Sequence, residues 1–218
     1  MRIMLPTRQR LVPIALVAVL LCAACSGGSH APAPATPSAA SGAPAATGPA
    51  LVTGRAPIGV IVTLAPIAPR DVPLPEGPAV MDQYSKLFLP PLLLARVGQP
   101  VDFLNSDEVG HNVIVNRRPA GISIFSTSID PREKYTHIFD QPGEYAVSCD
   151  LHPGMLATVY VTAMPFAATP DEGGTFTMPN VPPGPYTLTA VTPDGKATER
   201  RVEITPGRAV LDPLPSPR

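Results

Sequence analysis

The sequence predicts an all-β chain built as a β-sandwich, and three observations carry that prediction. Short runs of β-branched and aromatic residues recur between Gly/Pro turns. No stretch sustains the 3.6-residue periodicity of an amphipathic helix. The 218 residues include 31 prolines and 17 glycines and no tryptophan, a composition that favours turns and short strands over helices. The length fits one or two small domains.

The first 24 residues read as a secretory signal. Arg2, Arg8 and Arg10 precede the apolar run Leu11 to Leu21, which is short for a membrane span, and small residues follow. Cys22-Ala23-Ala24-Cys25 resembles a bacterial lipobox, with Cys22 where that motif usually has Leu. The resemblance implies lipidation of Cys25; an ordinary signal peptide cut nearby is the alternative. Residues 25–49 then form a linker. Its Ser26 to Pro49 stretch is rich in Ser, Gly, Ala, Pro and Thr and has no charged, aromatic or large aliphatic residue. It cannot build a core, and a flexible chain of that length spans about 27 Å. This suits a domain tethered to a membrane, in the periplasm. The formal net charge is −1. Loss of the leader's three arginines makes it −4, which speaks against nucleic-acid binding. The pairs Arg117-Arg118 and Arg200-Arg201 read as solvated surface.

The strands follow in order. From Leu51 onward the pattern is all strand, and Val60-Ile61-Val62-Thr63-Leu64 is a β-branched run closed by Pro66. Leu92 to Val97 runs into the turn Gly98-Gln99-Pro100, and Val101 to Leu104 resumes. His111 to Val115, Tyr135 to Phe139, Glu144 to Ser148 and Ala157 to Val161 complete a central set, predicted as a domain over 80–164. Residues 165–218 contain Thr175 to Met178, Tyr186 to Val191 and Arg201 to Ile204, with Asp194-Gly195 as a hairpin turn. These are too few strands for a good sandwich alone. Residues 50–79 are therefore expected to complete it, which makes the central domain an insertion.

The chemistry concentrates in that central domain. His111 is followed far downstream by Cys149-Asp150-Leu151-His152-Pro153-Gly154-Met155. With Cys22 removed and Cys25 acylated, Cys149 has no disulfide partner in an oxidising compartment. Two imidazoles, one thiolate and one thioether are the ligand set of a blue, type 1 copper centre. One copper per chain is expected, bound by His111, Cys149, His152 and Met155. The backbone N–H of Asn112 is placed to donate to the Cys149 sulfur.

Phe88-Leu89-Pro90, Val97-Gly98, Val101-Asp102-Phe103, Asn105, His111-Asn112-Val113, Phe139, Pro142-Gly143-Glu144-Tyr145 and the Cys149 to Met155 loop resemble the cupredoxin family, the amicyanins in particular. The two-residue gap between His152 and Met155 matches amicyanin-like loops; plastocyanin-like loops are longer. The resemblance covers roughly Phe88 to Val161. It implies a Greek-key sandwich, copper, and single-electron exchange with a redox protein partner that docks near His152. Ser148 stands where plastocyanins have an aromatic residue, so an electron route through that side chain is not expected. More loosely, Met81-Asp82-Gln83, the copper motifs and the tail resemble cupredoxin-containing methylamine-utilisation-like proteins, whose tails are small carboxypeptidase-regulatory-like β modules.

Other readings weigh less. A Cys149–His152 nucleophilic pair lacks an orienting group and an oxyanion-hole motif. Zinc disfavours Met, and a binuclear copper centre needs a second loop cysteine. Asp107-Glu108 reads as a polar turn, His137 and His30 as surface or linker residues, and Met81, Met164 and Met178 as packing. The expectation is a monomeric electron carrier, not an enzyme. The alternatives are a copper-delivery protein using the same ligands, and a structural or adhesion module that carries metal only incidentally.

Overall fold

The computed structural model describes residues 48–192 and 195–217. The leader, the tether up to residue 47, Cys25, His30 and Asp194 lie outside the described residues. Every regular element described is a strand. In chain order they are β1 (Ala50–Arg55), β2 (Ile61–Pro66), β3 (Ala79–Tyr84), β4 (Leu87–Leu89), β5 (Leu92–Arg96), β6 (Pro100–Asn105), β7 (His111–Arg117) and β8 (Ile122–Ile129). There follow β9 (Lys134–Ile138), β10 (Gly143–Ser148), β11 (Leu156–Thr162), β12 (Phe166–Ala168), β13 (Thr175–Val181), β14 (Gly184–Val191), β15 (Ala197–Ile204) and β16 (Gly207–Leu211).

The strands from β3 to β11 make two sheets, ordered β5-β11-β10-β7-β8 and β4-β3-β6-β9. Inward residues alternate along them, as in β7, where His111, Val113 and Val115 are buried between half-exposed neighbours. Met81, Phe88, Phe103, Val113, Phe139, Val147, Met155 and Val159 belong to the shared core. At one side, edge strands β8 and β9 meet through tilted ring contacts. Phe125 packs on Tyr135 at 5.0 Å and on His137 at 4.6 Å, and His137 packs on Phe139 at 4.7 Å. His137 is thus more than a surface residue. Burial lowers its pKa, and the Asp140 charge partly opposes that shift.

The other strands make the sheets β13-β1-β16 and β12-β2-β14-β15. β1 runs antiparallel to β13 and parallel to β16, and β2 pairs with β12 and β14. Val52, Leu64, Phe176, Tyr186, Leu188 and Ile204 lie in their common core.

The two cores share a corner device. Gln141-Pro142-Gly143-Glu144-Tyr145 and Pro182-Pro183-Gly184-Pro185-Tyr186 have the same Pro-Gly-x-Tyr pattern. In each, the tyrosine hydroxyl donates to the carbonyl four residues upstream, Gln141 or Pro182, at 2.8 Å. Each ring also carries an arginine guanidinium, Arg117 at 6.0 Å and Arg70 at 5.6 Å. A buried Tyr can keep its ring in apolar packing only if its hydroxyl finds a partner, and the turn carbonyl supplies one.

Candidate metal centre

The site lies at one end of the β3–β11 sandwich. β7 begins with His111, held by antiparallel pairing to β8 opposite Ile129. β10 ends at Ser148, paired with Ile114 and Leu156, so Cys149 follows directly from a strand fixed on both sides. The loop from Cys149 to Met155 is closed by its own backbone: the Cys149 N–H donates to the Met155 carbonyl at 3.1 Å, and the Met155 N–H to the His152 carbonyl at 3.3 Å. Gly154 takes a left-handed φ of 84°, open to Gly at no steric cost. That turn returns the chain so that Met155 enters the core.

Cys149, His111 and Met155 are buried, and His152 is half-exposed. The Nδ1 atoms of His111 and His152 are 3.0 Å apart. Cys149 Sγ lies 4.0 Å from the first and 3.9 Å from the second. A point equidistant from these three atoms is about 2.1 Å from each, within the ~2.0–2.3 Å reach of imidazole nitrogen and thiolate sulfur on a first-row metal. Among the described residues, His111, Cys149 and His152 form the one cluster of His, Cys, Asp and Glu with metal-ligating spacing. The donor set is soft-to-borderline and fits copper. Met155 is in the same core cluster as Cys149.

Two polar contacts brace the centre. Asn112 clasps the ligand loop through its side chain: its Oδ1 accepts the Asp150 N–H at 3.0 Å, and its Nδ2 donates to Asp150 Oδ1. The second brace is Asp107, which a sequence reading takes as a turn residue. Its Oδ2 lies 2.8 Å from His111 Nε2. Burial alone would raise the Asp107 pKa, but hydrogen bonds from the Lys86 N–H, His111 and the Ser85 N–H outweigh it and lower the value. The signal for this contact was present in the sequence, as a carboxylate four positions before a candidate ligand histidine. Around His152 the surface is apolar, with Leu151 58% and Leu156 67% exposed.

A β-sandwich that gathers two imidazoles and a thiolate at one end is the architecture of a copper-binding electron-transfer domain. Residues 80–162 match the family of copper-binding proteins that comprises plastocyanin and azurin. The chain is 29% identical to plastocyanin from Prochlorothrix hollandica over 109 residues, which is 47% of this chain and 81% of that protein. Among solved structures it is similar to a Cu-containing nitrite reductase from Thermus scotoductus SA-01 (25% identity, TM-score 0.37). That match covers 44% of this chain and only 25% of the reductase. It is also similar to a purple cupredoxin from Nitrosopumilus maritimus (25% identity, TM-score 0.35, 38% and 99% coverage) and to a reduced Cu(I) form of an amicyanin variant (24% identity, TM-score 0.37, 46% and 98% coverage). The match over residues 80–162 and the His111-Cys149-His152 cluster together support copper as the cofactor of this segment.

Proposed function

We propose that this protein is a periplasmic type 1 copper protein that carries single electrons between redox partners and is not itself an enzyme. The observation that carries the reading is the convergence of His111 Nδ1, His152 Nδ1 and Cys149 Sγ around one point. Bound copper supplies a one-electron Cu(II)/Cu(I) couple: a reduced donor gives up one electron and an oxidised acceptor takes it. His111 and His152 would hold the copper through their Nδ1 atoms, Cys149 would bind it as thiolate, and Met155 would add a weak thioether ligand. The Asn112 side chain would steady the ligand loop through its two contacts with Asp150. The paired strands keep these side chains in one arrangement, so little needs to move when charge changes. Docking takes place on the apolar patch around His152, through the small, weak interface that suits fast exchange.

A buried unpaired Cys149 suits a metal thiolate in an oxidising compartment better than a structural thiol. The lipobox-like Cys25 supports a membrane-anchored lipoprotein, acting as a monomer. Sheet pairing of β1 with β13 and β16, and of β2 with β12 and β14, supports reading the copper domain as an insertion in a second β module.

The test is an absorption and electron paramagnetic resonance spectrum of the full-length protein with Cu(II). An intense blue band with narrow hyperfine splitting, bleached by ascorbate and lost in Cys149→Ser, is expected. A band that survives in Cys149→Ser would sink the assignment. Ready release of Cu(I) to a competing chelator would favour copper delivery instead.

A further inference from the structure

We propose that Asp107 is a positioning residue for the copper centre. It selects the His111 tautomer that presents a free lone pair at Nδ1, and its charge biases the bound metal toward the oxidised state. The proposal rests on the ligand assignment above and deepens it.

The Asp107 carboxylate is held on three sides. Its Oδ1 accepts the Ser85 N–H at 2.7 Å, and its Oδ2 accepts the Lys86 N–H at 2.9 Å. Its own N–H donates to Asn105 Oδ1 at 3.0 Å. Asn105 in turn donates to the Val109 and Ile129 carbonyls, each at 2.9 Å. Ser85 and Lys86 are the two central residues of the β3–β4 hairpin, with φ of 54° and 58°. Two left-handed residues suit a tight hairpin, but neither is Gly or Asn, and such conformations are strained for residues with a Cβ. The carboxylate offsets that strain by binding both turn amides.

An ionised carboxylate only accepts hydrogen bonds. Two of its partners are backbone N–H groups, obligatory donors. The third, His111 Nε2 at 2.8 Å, must donate as well. A neutral imidazole with its proton on Nε2 has its lone pair on Nδ1. That is the atom 3.0 Å from His152 Nδ1 and 4.0 Å from Cys149 Sγ. A carboxylate behind a ligand imidazole also raises its basicity and fixes its ring orientation. More negative charge at the ligand favours the higher oxidation state.

A purely structural role, holding the hairpin turn, predicts altered stability with no change in tautomer or potential. Long-range 1H–15N NMR of the metal-free, full-length protein reads the tautomer directly. Wild type is expected to carry the proton on Nε2 of His111, and Asp107→Ala to redistribute it. Asp107→Ala is further expected to weaken Cu(II) binding about 10- to 100-fold, with a smaller loss for Cu(I). Each tenfold differential raises the potential by about 59 mV. Asp107→Asn, which keeps the size and loses the charge, is expected to raise the potential in the same direction. A proton on Nδ1 in wild type, or variants with unchanged tautomer and potential, would overturn the proposal. Should Asp107→Ala fail to fold, the wild-type tautomer and Asp107→Asn still decide. Absence of a blue band in wild type would overturn the copper reading instead, while the metal-free tautomer measurement continues to report on Asp107.

Discussion

Asn112→Ala tests whether the ligand loop is held by the sandwich or holds itself. The substitution removes two hydrogen bonds to Asp150, one from its backbone N–H at 3.0 Å and one to its carboxylate. A neutral hydrogen bond contributes about 0.5–1.5 kcal/mol net and one to a charged group about 1.5–3. Both partners here are exposed or half-exposed, so the lower ends apply and the pair contributes about 2 kcal/mol. For a chain of this size that lowers the melting temperature by about 4–8 °C. The clasp attaches next to Cys149, so the copper-loaded protein should lose more. A tenfold weaker copper site removes a further ~1.4 kcal/mol of ligand stabilisation at saturating metal. Paired thermal melts of wild type and variant, metal-free and copper-loaded, read both quantities. A metal-free shift under 1 °C, or equal shifts with and without copper, would refute the idea that Asn112 braces the ligand loop.

Other perturbations probe the rest of the molecule. Tyr186→Phe removes the hydroxyl that donates to the Pro182 carbonyl at 2.8 Å and accepts from Arg70 at 3.2 Å; a loss of about 1–2 kcal/mol is expected in denaturant unfolding. Gly54→Ala in β1 places a methyl 2.5 Å from the Phe176 ring, and the overpacking should cost about 1–3 kcal/mol in the same assay. Asp102 has a pKa lowered first by the hydrogen bond from Lys134 and then by that from Thr136, against the opposing effect of burial. Because its folded value lies below the ordinary 3.8, its contribution is complete above that pH. It is lost as pH falls through the folded value. Asp102→Asn should therefore flatten the acid limb of a stability-versus-pH curve below about pH 4 and leave its neutral region with the same slope.

The sequence made strands legible wherever apolar residues alternate or cluster, as in β2, β7, β10, β11 and β14. It concealed β3, β4, β8, β12 and β16. β8 reads Ile-Ser-Ile-Phe-Ser-Thr-Ser-Ile, an edge strand whose serines look like loop. β3 carries Asp82 and Gln83, and its inward residues Met81 and Gln83 do not form an apolar run. β4 and β12 have only three residues each. β16 is held by parallel pairing with β1 at the other end of the chain, a tertiary contact that no local pattern announces. The same division governs the site. Cys, His and Met at loop spacing are chemically restrictive and stand out, whereas an aspartate in a loop has an ordinary explanation. Only the meeting of Asp107 with the Ser85-Lys86 turn and His111 shows otherwise. The repeated Pro-Gly-x-Tyr corner was equally visible as letters, and acquires meaning once each hydroxyl is seen to reach back four residues.

The two imidazoles are built for different tasks. His111 is buried on a strand, and its outer nitrogen is engaged by Asp107. It can neither turn away nor face a partner. His152 sits on a loop, half-exposed, between Leu151 and Leu156. On the reading proposed here, that asymmetry directs electron exchange through His152, because it alone joins the metal to an apolar surface that a partner can cover. It also separates two controls in space. Substitutions at Leu151 or Leu156 should change the rate of exchange with a partner and leave the potential in place. Substitution at Asp107 should shift the potential while leaving the docking surface intact.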